Sequence, residues 1–186
     1  MGLCISYQEA ERLFEVWPML KQTKEGATTE LKIIETMSID ELIYTLSVGN
    51  KVLDGLPHNR TASSSTERVA LGYENIANKS LVEARDNIKK EIIILFLVDE
   101  KLKIAYGGLA PVQQTILQLF YWKKKTWSEI LDELSKEQEY ISRYQAQTKR
   151  TEALTQIAIT SRISKQIYTD VMKILTMGQS EKEGGR

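Results

Sequence analysis

The chain has 186 residues, enough to bury a core in one or two small domains. Its 25 Lys and Arg residues balance its 25 Asp and Glu residues, which excludes a whole-chain basic footprint for nucleic acid and confines any such surface to a local patch. The single cysteine, Cys4, excludes an internal disulfide, and with no secretory signal pattern the expected setting is a reducing cytoplasm.

In chain order, "MGLCIS" matches the acylation pattern at Gly2, with Ser6 at the required offset and Cys4 as a second acceptor; an ordinary N-terminus is the expectation. "YQEAERLFEVWPML" places Ala10, Leu13, Phe14 and Trp17 on one helical face, and Pro18 is expected to interrupt it. Ser38 and Glu41 have capping-box spacing before Ile39, Leu42, Ile43 and Leu46, which predicts a second helix ending near Gly49.

Asp54 to Glu67 is polar and turn-forming, with Pro57 and a Ser/Thr cluster, and holds the only histidine, His58, expected to be solvated. Ser64 and Glu67 repeat the capping spacing and predict a long helix. Within it Ile92 to Val98 is too short to cross a bilayer, which needs about 20 residues. A strand there would have no partner, so helix is expected. "GGLAP", Gly107 to Pro111, combines helix-stop and helix-start chemistry.

After Pro111, Val112, Ile116, Leu119 and Phe120 share one face of a short helix, and Lys123, Lys124 and Lys125 make a polar connection. Thr126 and Glu129 have capping-box spacing before Trp127, Ile130, Leu131 and Leu134. Ser135 and Gln138 repeat the spacing, which predicts a third, polar helix with Ile141, Tyr144, Thr148 and Leu154 facing inward. Two short apolar helices, a turn and a polar third helix are the ingredients of a helix-turn-helix. Ile163, Ile167, Val171 and Ile174 follow at helical spacing before Gly178, a stripe suited to the protein's own core or, less simply, to a dimer seam.

The expected fold is therefore all-α. Its parts are an N-terminal helical segment (1–53), a polar loop (54–66), a long central helix (67–108), a three-helix helix-turn-helix domain with a C-terminal helix (109–177) and a tail (178–186).

The span from Leu109 to Leu154 resembles the fourth conserved region of bacterial sigma factors, in the form carried by small phage regulators of the RinA and ArpU kinds. Phe120 and Tyr121 match a helix ending in an aromatic pair, and Trp127, Glu129 and Ile130 match the Trp-x-Glu-Ile that follows the turn. Leu134 and Ile141 match a Leu followed by a β-branched aliphatic, and Leu53 to Leu71 is similar to the Pro-containing, Ser/Thr-rich segment of such proteins. Leu131 departs from the usual Ala, and Ser135, Lys136 and Glu137 from the usual Gly, apolar, Ser turn.

The resemblance implies a DNA-binding transcription regulator that activates phage late genes with host RNA polymerase. A DNA-packaging subunit, or a helical interaction or membrane-adaptor protein without DNA binding, are the rival classes. On a recognition helix starting near Lys136, Gln138, Ser142, Arg143, Gln145, Lys149 and Arg150 would face outward to double-stranded DNA, and Lys123, Lys124 and Lys125 would touch phosphate. Arg143, Lys149, Arg150, Arg162 and Lys165 against the lone Glu152 make a local basic stripe between Tyr140 and Lys165. Asp132, Glu133, Glu137 and Glu139 beside it would repel phosphate, so a homo-oligomer or the polymerase would add affinity. No catalytic constellation, metal-ligand motif or cofactor loop is present in the sequence, and no enzyme activity is expected.

Overall fold

In a computed structural model the chain is all-helical over the described residues, 4–37 and 64–183, with side chains placed for 4–37 and 78–176. The expected helix from Ser38 to Gly49 and the loop carrying His58 lie outside them. Six α-helices are present among the described residues: α1 (Tyr7–Thr36), α2 (Ser64–Gly107), α3 (Pro111–Leu117), α4 (Trp127–Lys136), α5 (Arg143–Thr160) and α6 (Lys165–Glu183). A π-helical segment, Gln118–Trp122, extends α3.

Ile92 to Val98 lies inside α2 and is helical, as the absence of a partner strand predicts. The bounds of α1 and α6 differ from the sequence expectation. α1 runs through Pro18 instead of breaking there. Proline removes the amide that would bond the carbonyl four residues back, here Phe14. That carbonyl accepts a hydrogen bond from the Trp122 indole Nε1 at 3.2 Å, so the acceptor stays satisfied and the helix continues. α6 likewise passes Gly178 and ends at Glu183, where a tail was expected. A mid-helix glycine costs only about 1 kcal/mol relative to alanine, too little to stop a helix continued by Gln, Glu and Lys.

The chain divides into two compact units, Gly26–Ile92 and a larger one formed by Met1–Glu25 with Ile93–Arg186. In the first, Lys89 lies 3.5 Å from Glu35, an exposed pair worth little, and Ile88 is buried. In the larger unit Ala10, Leu13, Phe14, Trp17 and Leu20 of α1 pack with Leu95, Val98, Leu102 and Ala105 of α2. Ala153, Leu154, Ile157 and Ala158 of α5 and Val171 and Leu175 of α6 complete that core. The apolar stripe of the C-terminal region thus packs on the protein's own core, with Ile163 buried and Ile167 and Ile174 partly so. Ile5 donates its amide to the Ile163 carbonyl at 3.0 Å, tying the N-terminal residues to the α5–α6 connection.

A second, smaller core lies among α3, α4 and α5. Ile116, Leu119, Ile130, Leu134 and Ala146 are buried there, flanked by Val112, Phe120, Trp127, Leu131 and Ile141. The π segment serves both cores. Its wider turn, closed by Lys123 N–H to the Gln118 carbonyl at 3.1 Å, lets Leu119 face the smaller core while Tyr121 and Trp122 join the larger one. Trp122 stacks on Phe14, with ring centres 5.0 Å apart and planes 13° from parallel.

Candidate nucleic-acid interface

α3 starts as its sequence requires, with Pro111 in the first turn and the Gln113 side chain accepting from the Ala110 amide at 3.2 Å. Gln114 Nε2 donates to the carbonyls of Tyr106 at 3.1 Å and Leu109 at 3.0 Å, satisfying the groups freed at the end of α2. α4 begins at the predicted capping box: Thr126 N–H donates to Glu129 Oε2 at 2.8 Å, and Thr126 Oγ1 accepts from the Glu129 amide at 3.5 Å. The bond from the Thr126 backbone holds the Glu129 carboxyl below its ordinary pKa.

The third helix starts later than expected. Ser135 lies inside α4, which ends at Lys136, and the cap of α5 is Ser142, with Gln145 as its partner. Ser142 N–H donates to Gln145 Oε1 at 2.8 Å, and the Gln145 amide donates to Ser142 Oγ at 3.3 Å. Between the helices the Glu139 amide reaches the Leu134 carbonyl at 2.9 Å and the Gln138 amide reaches Ser135 at 3.1 Å. That is a Schellman cap with Gln138 at its left-handed residue, φ 64°.

This later start changes the role of several expected DNA contacts. Gln138 is exposed in the turn, not on a helix, and Ser142 and Gln145 hold each other in the cap. Arg143 is the first residue of α5 and is exposed, while Lys149 is half-buried; neither has an ion-pair partner among the described residues. Tyr144 and Thr148, expected inward, face solvent, with Tyr144 78% exposed. The inward positions are Ala146, Ala153, Leu154, Ile157 and Ala158. In the helix that starts at Ser142, the small Ala146 is buried in the same core as Ile116 and Leu119.

Arg150 departs furthest from the expected outward stripe. Its guanidinium lies 4.7 Å from the Phe120 ring centre, 5.9 Å from Tyr121 and 6.0 Å from Trp127. It donates to Tyr7 Oη at 3.4 Å and sits 3.8 Å from Glu11, which also accepts from the Tyr121 hydroxyl. Burial and that bond raise the Tyr121 pKa above its ordinary value. Arg150 therefore braces α5 against α1 and the π segment.

The lysine triplet splits in the same way. Lys123 is exposed without an ion-pair partner among the described residues, whereas Lys124 lies 2.7 Å from Glu15 and Lys125 3.6 Å from Glu133. Lys124 also holds a left-handed φ of 51°, which turns the chain from the π segment into α4. Glu133 is neutralised further by Lys136 at 3.2 Å, while Asp132, Glu137 and Glu139 stay exposed. Of the basic residues expected to touch DNA, Lys123, Arg143 and Lys149 are the ones without an ion-pair partner among the described residues.

No family model matches the chain, and no curated protein or solved structure matches it. No helix among the described residues is long and apolar enough to cross a membrane. Sequence reasoning missed Gln147, which stands exposed one turn after Arg143. The signal for it was the second Ser-x-x-Gln spacing, Ser142 to Gln145, which sets the register of α5.

Proposed function

We propose that the chain is a sequence-specific duplex-DNA-binding regulator, with α5 as the helix that enters the major groove. The observation that carries this reading is the three-helix unit of α3, α4 and α5, which has a core of its own around Ile116, Ile130, Leu134 and Ala146. It turns at Gln138 and leaves the N-terminal face of α5 exposed. Arg143, Tyr144 and Gln147 stand there, and residues near the start of the second of two such helices are the ones that contact base edges. Arg and Gln supply donors that match guanine and adenine edges. Lys123 and Lys149 are the cations available for phosphate. The sigma-like sequence pattern supports assigning the activity to phage late-gene activation with host RNA polymerase.

The test is binding to duplex DNA as a function of salt. Wild type binds at low salt, and Arg143→Ala with Lys149→Ala lowers the log–log salt slope by up to about 2. Absence of binding at low salt, or an unchanged slope in the double variant, rejects the reading. Transcription reconstituted with the polymerase separates an activator from a packaging subunit.

A further inference from the structure

The outward face of α5 carries one carboxylate, Glu152, among hydroxyl-bearing, aromatic and aliphatic side chains. Tyr144, Thr148, Thr151, Thr155 and Ile159 recur along it at helical spacing, and all are exposed. Each threonine hydroxyl on this face turns back to its own helix: Thr148 donates to the Tyr144 carbonyl at 3.0 Å, Thr151 to Gln147 at 3.2 Å and Thr155 to Thr151 at 2.8 Å. What the threonines present outward is therefore the γ-methyl. A shallow hollow lined by Thr151, Glu152, Thr155, Gln156, Ile159 and Thr160 continues the face, and its wall is almost wholly apolar.

At about 100° per residue Lys149 falls at one edge of the face, where phosphates flank a helix lying in a groove, whereas Glu152 lies on the face beside Thr148 and Ile159, and Arg143 stands off it at the N-terminal end of α5. The major groove admits one α-helix and offers a single apolar feature, the thymine C5-methyl, which threonine methyls and aromatic rings contact. We infer that this face reads thymine methyl groups, with Thr148, Thr151 and the Tyr144 ring as the specificity-determining groups. The inference rests on the DNA reading of α5 and names the base chemistry it selects.

The test uses the full chain and a random-sequence duplex pool enriched by binding to it, then copied with either thymine or uracil. Wild type is expected to bind the thymine copy more tightly, by about fourfold for each contacted methyl. The variant Thr148→Ser, Thr151→Ser, Thr155→Ser keeps the hydroxyl-to-carbonyl bonds, and thus the helix, while removing the methyls. It is expected to lose most of the thymine preference with an unchanged circular dichroism spectrum. Equal affinity of wild type for both copies, with enrichment present, overturns the inference and leaves DNA binding standing. A full thymine preference in the serine variant overturns it as well. Failure of the pool to enrich at low salt removes the DNA reading itself, and this inference with it.

Discussion

The indole of Trp122 donates to the Phe14 carbonyl, the acceptor that Pro18 leaves without an amide. The same ring stacks on Phe14, so one side chain both fills the core and repairs the helix. Trp122→Phe keeps much of the stack and removes the bond. It should cost about 1–3 kcal/mol, the range for leaving a buried acceptor unpaired. Pro18→Ala in that background restores the amide donor and should recover part of the loss. Urea unfolding of the four proteins checks this, and strictly additive effects would sink the assignment.

Arg150 acts as a structural cation, packed on the rings of Phe120, Tyr121 and Trp127 and reaching Tyr7 and Glu11 of α1. Arg150→Ala empties the space among Phe120, Tyr121 and Trp127 and should lower stability by about 2–3 kcal/mol. Arg150→Lys should recover only part of this, because an ammonium cannot stack on the rings as a planar guanidinium does. Chemical denaturation measures both, and a loss under about 0.5 kcal/mol for the alanine variant, the range of ordinary surface substitutions, would refute the role.

Asp99 is fully buried and accepts from Trp17 Nε1 at 2.8 Å, with Lys24 at 2.5 Å and Lys103 at 3.0 Å. Burial pushes its carboxyl up, but the bonds from Lys24, Trp17 and Lys103 prevail and bring it down to about 2. The folded pKa lies below the unfolded one, so the stabilisation is whole above about pH 4 and is lost as pH falls towards about 2. Asp99→Asn should cost about 2 kcal/mol at neutral pH, and the gap to wild type should close across that acid window. A gap independent of pH between 2 and 5 would count against it.

Gln138 occupies the left-handed position that glycine takes at most such caps. Gln138→Gly should raise stability by about 1 kcal/mol, since the side chain is exposed and makes no hydrogen bond among the described residues. The midpoint of urea unfolding reports it. An unchanged or lower midpoint would mean that the turn does not hold the left-handed conformation.

Ser142→Ala removes the acceptor for the Gln145 amide and should destabilise the chain by about 1 kcal/mol, whereas Ser142→Asp, which also caps, should not. Thermal unfolding distinguishes the two, and equal losses would argue against the cap.

The sequence by itself determined the helical class, the short helices after Pro111 and Thr126, and the apolar faces that close the smaller core. Those features rest on local periodicity and on capping groups within a few residues of each other, as at Thr126 and Glu129. Tertiary structure alone decided between two equal Ser-x-x-Gln spacings, at Ser135 and Ser142: α4 runs through Ser135, and α5, capped at Ser142, buries Ala146 in the smaller core and Leu154 in the larger one. It also decided which cations are free. Arg150, Lys124 and Lys125 are engaged by groups distant in sequence, such as Glu11 and Glu15 of α1 and Glu133 of α4. A charge counted along the chain carries no record of the carboxylate or ring that folding will place beside it.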